Sequence, residues 1–464
     1  MDFELWSTSC LDSARQLALL ALLLLAASSA KAEFLQLRYA ESFVAQRETC
    51  GDRNRVACRK ARPIAGGLSL SVGGEMRWRY EYAGNPGYGA DSQDRWGAWL
   101  QRHSLFGDVR VGDHWRGFAQ MSTSLANGRA GGPSPVDENQ LDPTNLFVEW
   151  QDTLKTEGRI GMRAGIQEMR FGSARLIDMR DGTNVRRTFN AVRAYADVES
   201  WRIDVFSAAP RLARPGSFDD AHSRSEELHG LYAVRTAGSH ALDLYLLHFE
   251  NLAARYVQGT GHERRWTFGM RISGARGNRD WNWESAIQWG RFGAASIRAW
   301  TVATESGYTF NESAWRPRLA LLAAVASGDR DPADGRLGSF NPMYPRGNYF
   351  GEEASLGPRN FFNIQPALSL HPTPSVELNA SLDLFWRHSI ADGVYAPNGQ
   401  LVRSPGGSAA RHVATIASLG ATWVPSPGWT TGAVFAWSEP GRFLRETGPH
   451  ESLHYLELTL QYQF

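Results

Sequence analysis

The sequence predicts an all-β fold, a transmembrane antiparallel β-barrel of about eighteen strands with short turns at one end and long loops at the other. Three observations lead there. From residue 68 onward apolar and polar residues alternate with a period of two. The connections sort by length according to strand parity. The last segment, "ESLHYLELTLQYQF", alternates without a break up to Phe464. Alternation marks strands with one apolar and one wet face, and parity-sorted loops are the signature of an outer-membrane barrel.

Residues 17–27, "LALLALLLLAA", form an apolar run of eleven, and Ala30-Lys31-Ala32 has the small-x-small form of a signal-peptidase site. The run is short for a spanning helix, which needs about 20 residues, so residues 1–32 read as a removed export signal. Its n-region is unusual in holding Asp2, Glu4 and Asp12 against Arg15 alone, which a misassigned start codon would explain. Residues 33–67 read as a flexible, basic periplasmic lead-in. They contain Cys50 and Cys58, which an oxidising periplasm favours as a disulfide. Residues 68–464 are the barrel. No apolar stretch of 18 residues follows the signal, so a helical membrane protein is excluded.

The first strand, 68–82, places Leu68, Leu70, Val72, Met76, Trp78, Tyr80 and Tyr82 on one face. Ser69, Ser71, Glu75, Arg77, Arg79 and Glu81 lie on the other. Similar segments follow at 97–111, 115–125, 144–151, 158–168, 188–197, 201–208, 228–236 and 240–249. They continue at 264–274, 280–290, 297–308, 316–326, 361–371, 375–387, 411–424, 428–437 and 452–464. The 264–274 strand sets Trp266, Phe268, Met270 and Ile272 against Arg265, Thr267, Arg271 and Ser273. Even-numbered strands are followed by short turns such as "GDH", "VES", "TAGS" and "PSPG". Odd-numbered strands lead mostly into long links at 126–143, 169–187, 209–227, 327–360 and 388–410, with 291–296 an exception. A propeller or β-helix would show a fixed repeat, and none is visible. An eighteen-stranded barrel has a lumen wide enough for an aqueous channel. The closing strand pairs with the first, and its terminal aromatics suit lipid at the periplasmic interface and the outer-membrane assembly machinery.

The composition argues against nucleic acid, since the formal net charge is +1. Catalytic signatures are missing: there is no G-x-S-x-G, H-E-x-x-H or P-loop, and the twelve histidines lack metal-ligand spacing. No enzyme activity, cofactor or metal is expected. "DRDPADG" (329–335) resembles a calcium loop only faintly, because Ala333 and Phe340 stand where ligands belong.

Arginine is the distinctive residue, supplying 46 of the 49 basic side chains. Arg77, Arg79, Arg102, Arg110, Arg163, Arg265, Arg271, Arg318 and Arg387 fall on the predicted lumen face. Arg170, Arg175, Arg180, Arg186, Arg187 and Arg193 crowd residues 169–193. Guanidinium is permanently charged, presents a planar fork to carboxylates, and in rings makes pores favour anions. Pairing with wall carboxylates such as Glu75, Glu81, Glu149, Asp243, Glu284 and Asp383 is the competing use.

Three stretches carry a family resemblance: "GIQEMRFGSARLIDMRDGTNVRRTFNAVR" (165–193), "SGDRDPADGRLGSFNPMYPRGNYFGEEASLGPRN" (327–360) and "LFWRHSIADGVYAPNGQLVR" (384–403). Together they resemble the alginate export family of outer-membrane proteins over most of the chain from residue 68. The resemblance implies a monomeric eighteen-stranded barrel in a Gram-negative outer membrane, passing an anionic uronate polysaccharide outward through an arginine-rich constriction. It assigns Arg170, Arg175, Arg187, Arg193 and Arg387 to that constriction. It makes 327–360, with Asp329, Asp331, Asn341, Asn348 and Glu352, a loop over or in the mouth. Ile166 and Asn190 depart from the family pattern, each changing one charge there. The expected function is passive, anion-selective export of an alginate-like polyuronate. The alternative is a porin for uptake of organic or sugar acids. The partners expected are the polysaccharide or small anion, outer-membrane lipid, and a periplasmic tetratricopeptide scaffold.

Overall fold

The computed structural model describes residues 34–41, 43, 60, 62–154 and 158–464. The expected signal at 1–32 and the expected disulfide partners Cys50 and Cys58 lie outside the described residues. The barrel strands are β1 (Leu68–Gly84), β2 (Ala98–Val111), β3 (Trp115–Asn127), β4 (Asn139–Leu154), β5 (Gly158–Gln167) and β6 (Phe189–Val198). Next come β7 (Trp201–Leu212), β8 (Glu226–Ala237), β9 (His240–Tyr256), β10 (Gly259–Arg276), β11 (Arg279–Phe292) and β12 (Ala295–Thr309). The last six are β13 (Arg318–Ala326), β14 (Phe361–Thr373), β15 (Val376–Arg387), β16 (His412–Trp423), β17 (Trp429–Pro440) and β18 (Leu453–Gln463).

Each strand pairs antiparallel with the next. β18 returns to β1 in a register running from Glu75 opposite Gln463 to Gly84 opposite His454. The eighteen-stranded barrel is therefore closed and leaves no open edge in the hydrocarbon. The alternation works inside out relative to a soluble protein. In β10, Trp266, Phe268, Met270 and Ile272 are 39–47% exposed on the outer surface, whereas Arg265 and Thr267 are fully buried. An apolar outer band with a polar interior is what lipid outside and water inside require.

Strand ends differ from expectation chiefly at the β9–β10 hairpin. It runs unbroken from His240 to Arg276 and turns at Val257-Gln258, so no long link follows β9. Its tip carries Ala253, Arg255, Thr260 and Arg264 on the exposed side. Paired strand beyond the lipid needs no apolar outer face, so alternation gives no warning of it.

Two long connections, 168–188 and 327–360, fold into the lumen and pair with each other. Ile177 bridges Tyr344, Asp178 N donates to Tyr344 O at 2.8 Å, and Tyr344 N donates to Leu176 O at 3.0 Å. Gly172 adopts φ +53°, and a Cβ there would stand 2.4 Å from the Tyr232 hydroxyl, so the first loop needs glycine where it crosses the wall.

The described residues of the lead-in pack against the barrel. Arg38, Tyr39, Glu41, Phe43 and Lys60 are buried. They meet an inward-facing row of Phe106, Phe118 and Phe147 on β2, β3 and β4, an apolar patch on a face expected to be polar.

Candidate functional site: the lumen and its inward loops

Two chambers meet inside the barrel. One, of about 650 Å³, lies toward the short-turn end and runs along β13–β18 and β1; the other, of about 670 Å³, lies toward the long-loop end. Arg79, Gly182, Asn348 and Glu352 line both and so stand where the two chambers adjoin, here called the passage. Arg79 Nη1 donates to Gly182 O, and Asn348 Nδ2 donates to Glu352 Oε1 at 2.8 Å. A Cβ on Gly182 would lie 3.6 Å from Asn348 Cγ, so the two loops touch across this point.

A third cavity, of about 800 Å³, opens among the long-loop ends of β7–β10. Its charged lining is Arg180, Arg187, Arg211, Arg255 and Arg359 against Glu226 and Glu263, five positive groups to two negative. The chamber at the short-turn end is balanced instead, with Arg77, Arg79, Arg170 and Arg346 facing Asp178, Asp181, Glu352 and Glu457.

Most of the expected pore arginines are paired. Arg79 lies 3.2 Å from Glu457 and 3.4 Å from Glu81, and Arg102 bridges Glu75 at 2.8 Å and Asp181 at 2.7 Å. Arg163 holds Glu149 at 2.8 Å, Arg175 holds Glu284 at 3.1 Å, and Arg193 holds Asp204 at 2.8 Å. Arg271 meets Asp243 at 2.9 Å, while Arg318 meets Asp280 at 2.6 Å and Glu305 at 3.1 Å. Arg170 is the loosest, 3.6 Å from Asp178 and about a third exposed. Removing one partner of a buried pair costs more than the pair contributes, so these contacts hold the wall rigid.

Three others serve backbone carbonyls. Arg77 donates to Asp181 O and Thr183 O, both at 2.8 Å, clamping the first inward loop. Arg387 is fully buried, donates to carbonyls of Ile390, Asp392, Ser408 and Ala410, and covers the Phe443 ring at 3.8 Å. In this position it anchors the loops. Arg187 donates to Asp178 O and Pro345 O at 3.2 and 3.3 Å and faces the Tyr344 ring.

The expected loop residues divide in the same way. Asn348 and Glu352 line the passage. Asp329, buried, accepts from Gly338 N and Gln258 Nε2, and Asn341 Oδ1 accepts from Arg359 Nη2 at 2.9 Å; both pin the second loop to its surroundings. Asp331 is exposed and accepts from Ala333 N in a turn, away from the passage.

Sequence reasoning did not single out Gly182, Arg346, Arg359 or the special position of Arg180. Arg180 adopts φ 57°, its Nε is buried without a hydrogen-bond partner among the described residues, and burial lowers its pKa to about 10. Burial, with repulsion from Arg180, lowers the Arg187 guanidinium as well. Neither has a carboxylate within ion-pair distance among the described residues. Two neighbouring guanidiniums, with Asp178 and Glu226 nearby but neither in direct ion-pair contact with them, favour an anion. Asp142, Asp219 and Asp220 bring carboxylate oxygens within 4.8 Å of one another, but Arg211 already reaches Asp142 at 3.3 Å and Asp220 at 3.7 Å.

The comparisons agree with this architecture. A protein-family model described as "Alginate export" matches residues 68–456. Among solved structures, the chain is similar to a BenF-like porin from Pseudomonas fluorescens Pf-5 at TM-score 0.57 and 10% identity, covering 85% of this chain and 98% of that one. It is similar to Pseudomonas aeruginosa OccD3 (OpdP) at TM-score 0.56 and 12% identity, covering 88% and 96%. Pseudomonas aeruginosa OccK5 (OpdH) follows at TM-score 0.54 and 12% identity, covering 86% and 99%. At such identities the likeness is one of fold. No curated protein matches the chain.

Proposed function

The chain belongs to the alginate export family, and from that premise we propose that it conducts an anionic polysaccharide, an alginate-like polyuronate, outward across the outer membrane. Family and structural neighbours alike point to a channel in a Gram-negative outer membrane. The polymer would enter the chamber along β13–β18, thread between Arg79, Gly182, Asn348 and Glu352, and leave through the long-loop end, where the outer chamber adjoins the arginine-lined cavity at Gln400 and Leu401. Residues 1–32 would be the export signal. The direction of flow would come from synthesis and the periplasmic machinery, and the barrel contributes selectivity without a chemical step.

The observation that carries this reading is the pair Arg180 and Arg187, neither with a carboxylate within ion-pair distance among the described residues, in a cavity lined by five arginines and two glutamates. Carboxylates repeated along a polymer would be attracted there in turn, each held weakly enough to move on. The wall arginines, already paired, keep the lumen open and its charges in place. The test is block of single-channel current by oligouronates. Uronate oligomers should interrupt the current in the wild-type channel, and neutral glucan oligomers of equal length should not. The difference should shrink in Arg180→Gln/Arg187→Gln. Equal block by both oligomers would count against the proposal.

A further inference from the structure

We propose that residues 34–41, with Phe43, are an internal gate: they fill the β1–β5 side of the lumen toward the short-turn end and prop the inward loop at the passage. This goes beyond the identity of the passenger and needs only that the barrel conducts.

The segment is built to hold position inside a barrel. Arg38, 1% exposed, donates Nε to Glu41 Oε1 at 2.7 Å, Nη1 to Gly74 O at 2.8 Å, and Nη2 to Phe464 O at 3.1 Å. One guanidinium thus ties the segment to both strands at the barrel's closing seam. Tyr39 O accepts from Arg116 Nη2 at 2.7 Å, and the Tyr39 ring meets Phe147 edge-on at 5.5 Å. Phe43 stacks on Phe106 at 5.9 Å. Phe106, Phe118 and Phe147 would otherwise present three apolar rings to water in a polar lumen.

The same segment reaches the constriction loop. Tyr39 hydroxyl donates to Glu168 O at 2.7 Å, and Arg186 Nη1 donates to Gln36 O at 3.5 Å. Arg186 in turn grips Asp181 at 2.5 Å, next to Gly182 in the passage. Gln36 itself lines the open chamber, which otherwise runs along β13–β18, β1 and the inward loops. The open path thus lies beside the segment, and the loop that narrows it leans on the segment. Displacing the segment would widen the chamber on the β1–β5 side and release the loop.

The test uses the full chain carrying Arg38→Ala, Tyr39→Ala and Phe43→Ala together, reconstituted in planar bilayers. Because the segment covers several strands' width of lumen, single-channel conductance should rise roughly twofold or more. The barrel should stay heat-modifiable on gels. Conductance equal to wild type in a folded barrel would overturn the proposal. Loss of the heat-modifiable barrel would overturn it too, because the segment would then be part of the barrel's structure rather than a gate. Ion selectivity of the same channels is read separately, so failure of the anion reading shows as a changed selectivity and not as an unchanged conductance.

Discussion

Replacing Arg186 with methionine tests how the inward loop is held. Around it lie Glu75, Glu168 and Asp181, with Arg77, Arg102 and Arg38 as the neighbouring cations. Arg102 still reaches Glu75 and Asp181 in the variant, so those two carboxylates keep a partner. Glu168 keeps no cation in ion-pair contact: it is fully buried, accepts from Asn145 Nδ2 at 3.2 Å, and has Arg186 at 3.6 Å as its one ion-pair partner among the described residues. Leaving a charge buried and unpaired costs about 3–5 kcal/mol. Burial already raises the Glu168 pKa, with Arg186 opposing it, so the substitution raises it further. A carboxyl group with a raised folded pKa costs least when protonated. The deficit should therefore be largest at neutral and alkaline pH and shrink as pH falls through the folded value. Urea unfolding of the reconstituted protein, followed by tryptophan fluorescence, measures it. Glu168→Gln on the variant background should recover most of the loss. A loss below about 1 kcal/mol, the size of an exposed pair, or no recovery with Glu168→Gln, would refute the reasoning.

Three further outcomes follow from the geometry. Phe268→Arg puts a charge on the lipid face of β10 and should lower the unfolding free energy in bilayers by about 2–4 kcal/mol, measured by the same urea titration. Gly182→Trp should lower single-channel conductance, because Gly182 already sits 3.6 Å (from its would-be Cβ) from Asn348 across the passage. Glu353 has both carboxylate oxygens buried without a hydrogen-bond partner among the described residues; burial, with Asp383 and Glu352 nearby, raises its pKa to about 7. The second inward loop should accordingly lose stability as pH rises from about 4 toward and past 7, seen as faster channel fluctuations at pH 8 than at pH 5. Glu353→Gln should flatten that dependence.

Much of the barrel was legible in the sequence because lipid imposes a period of two on every spanning strand. Trp266, Phe268, Met270 and Ile272 announce their face against Arg265 and Thr267, and the short turns announce the parity. The β9–β10 tip was not legible, since strand standing clear of lipid needs no apolar face. The inward phenylalanines Phe106, Phe118 and Phe147 were hidden for a related reason. Their apolar surface is covered by Tyr39 and Phe43, which lie far away in the chain. For the site, alternation places Arg79 and Arg102 on the inward face but is silent about partners. Whether a guanidinium faces a carboxylate, as Arg193 faces Asp204, or stands without one, as Arg180 does, depends on how two loops fold into the lumen. Arg387 shows the limit most plainly: alternation gives it an inward register but does not reveal that it holds carbonyls.

The central claim, that the channel favours anions because Arg180 and Arg187 have no carboxylate in direct ion-pair contact among the described residues, is tested most directly by the reversal potential of single channels in a KCl gradient. The account predicts a reversal potential of the sign for chloride selectivity, moving toward zero in Arg180→Gln/Arg187→Gln. A wild-type channel selective for potassium would contradict it.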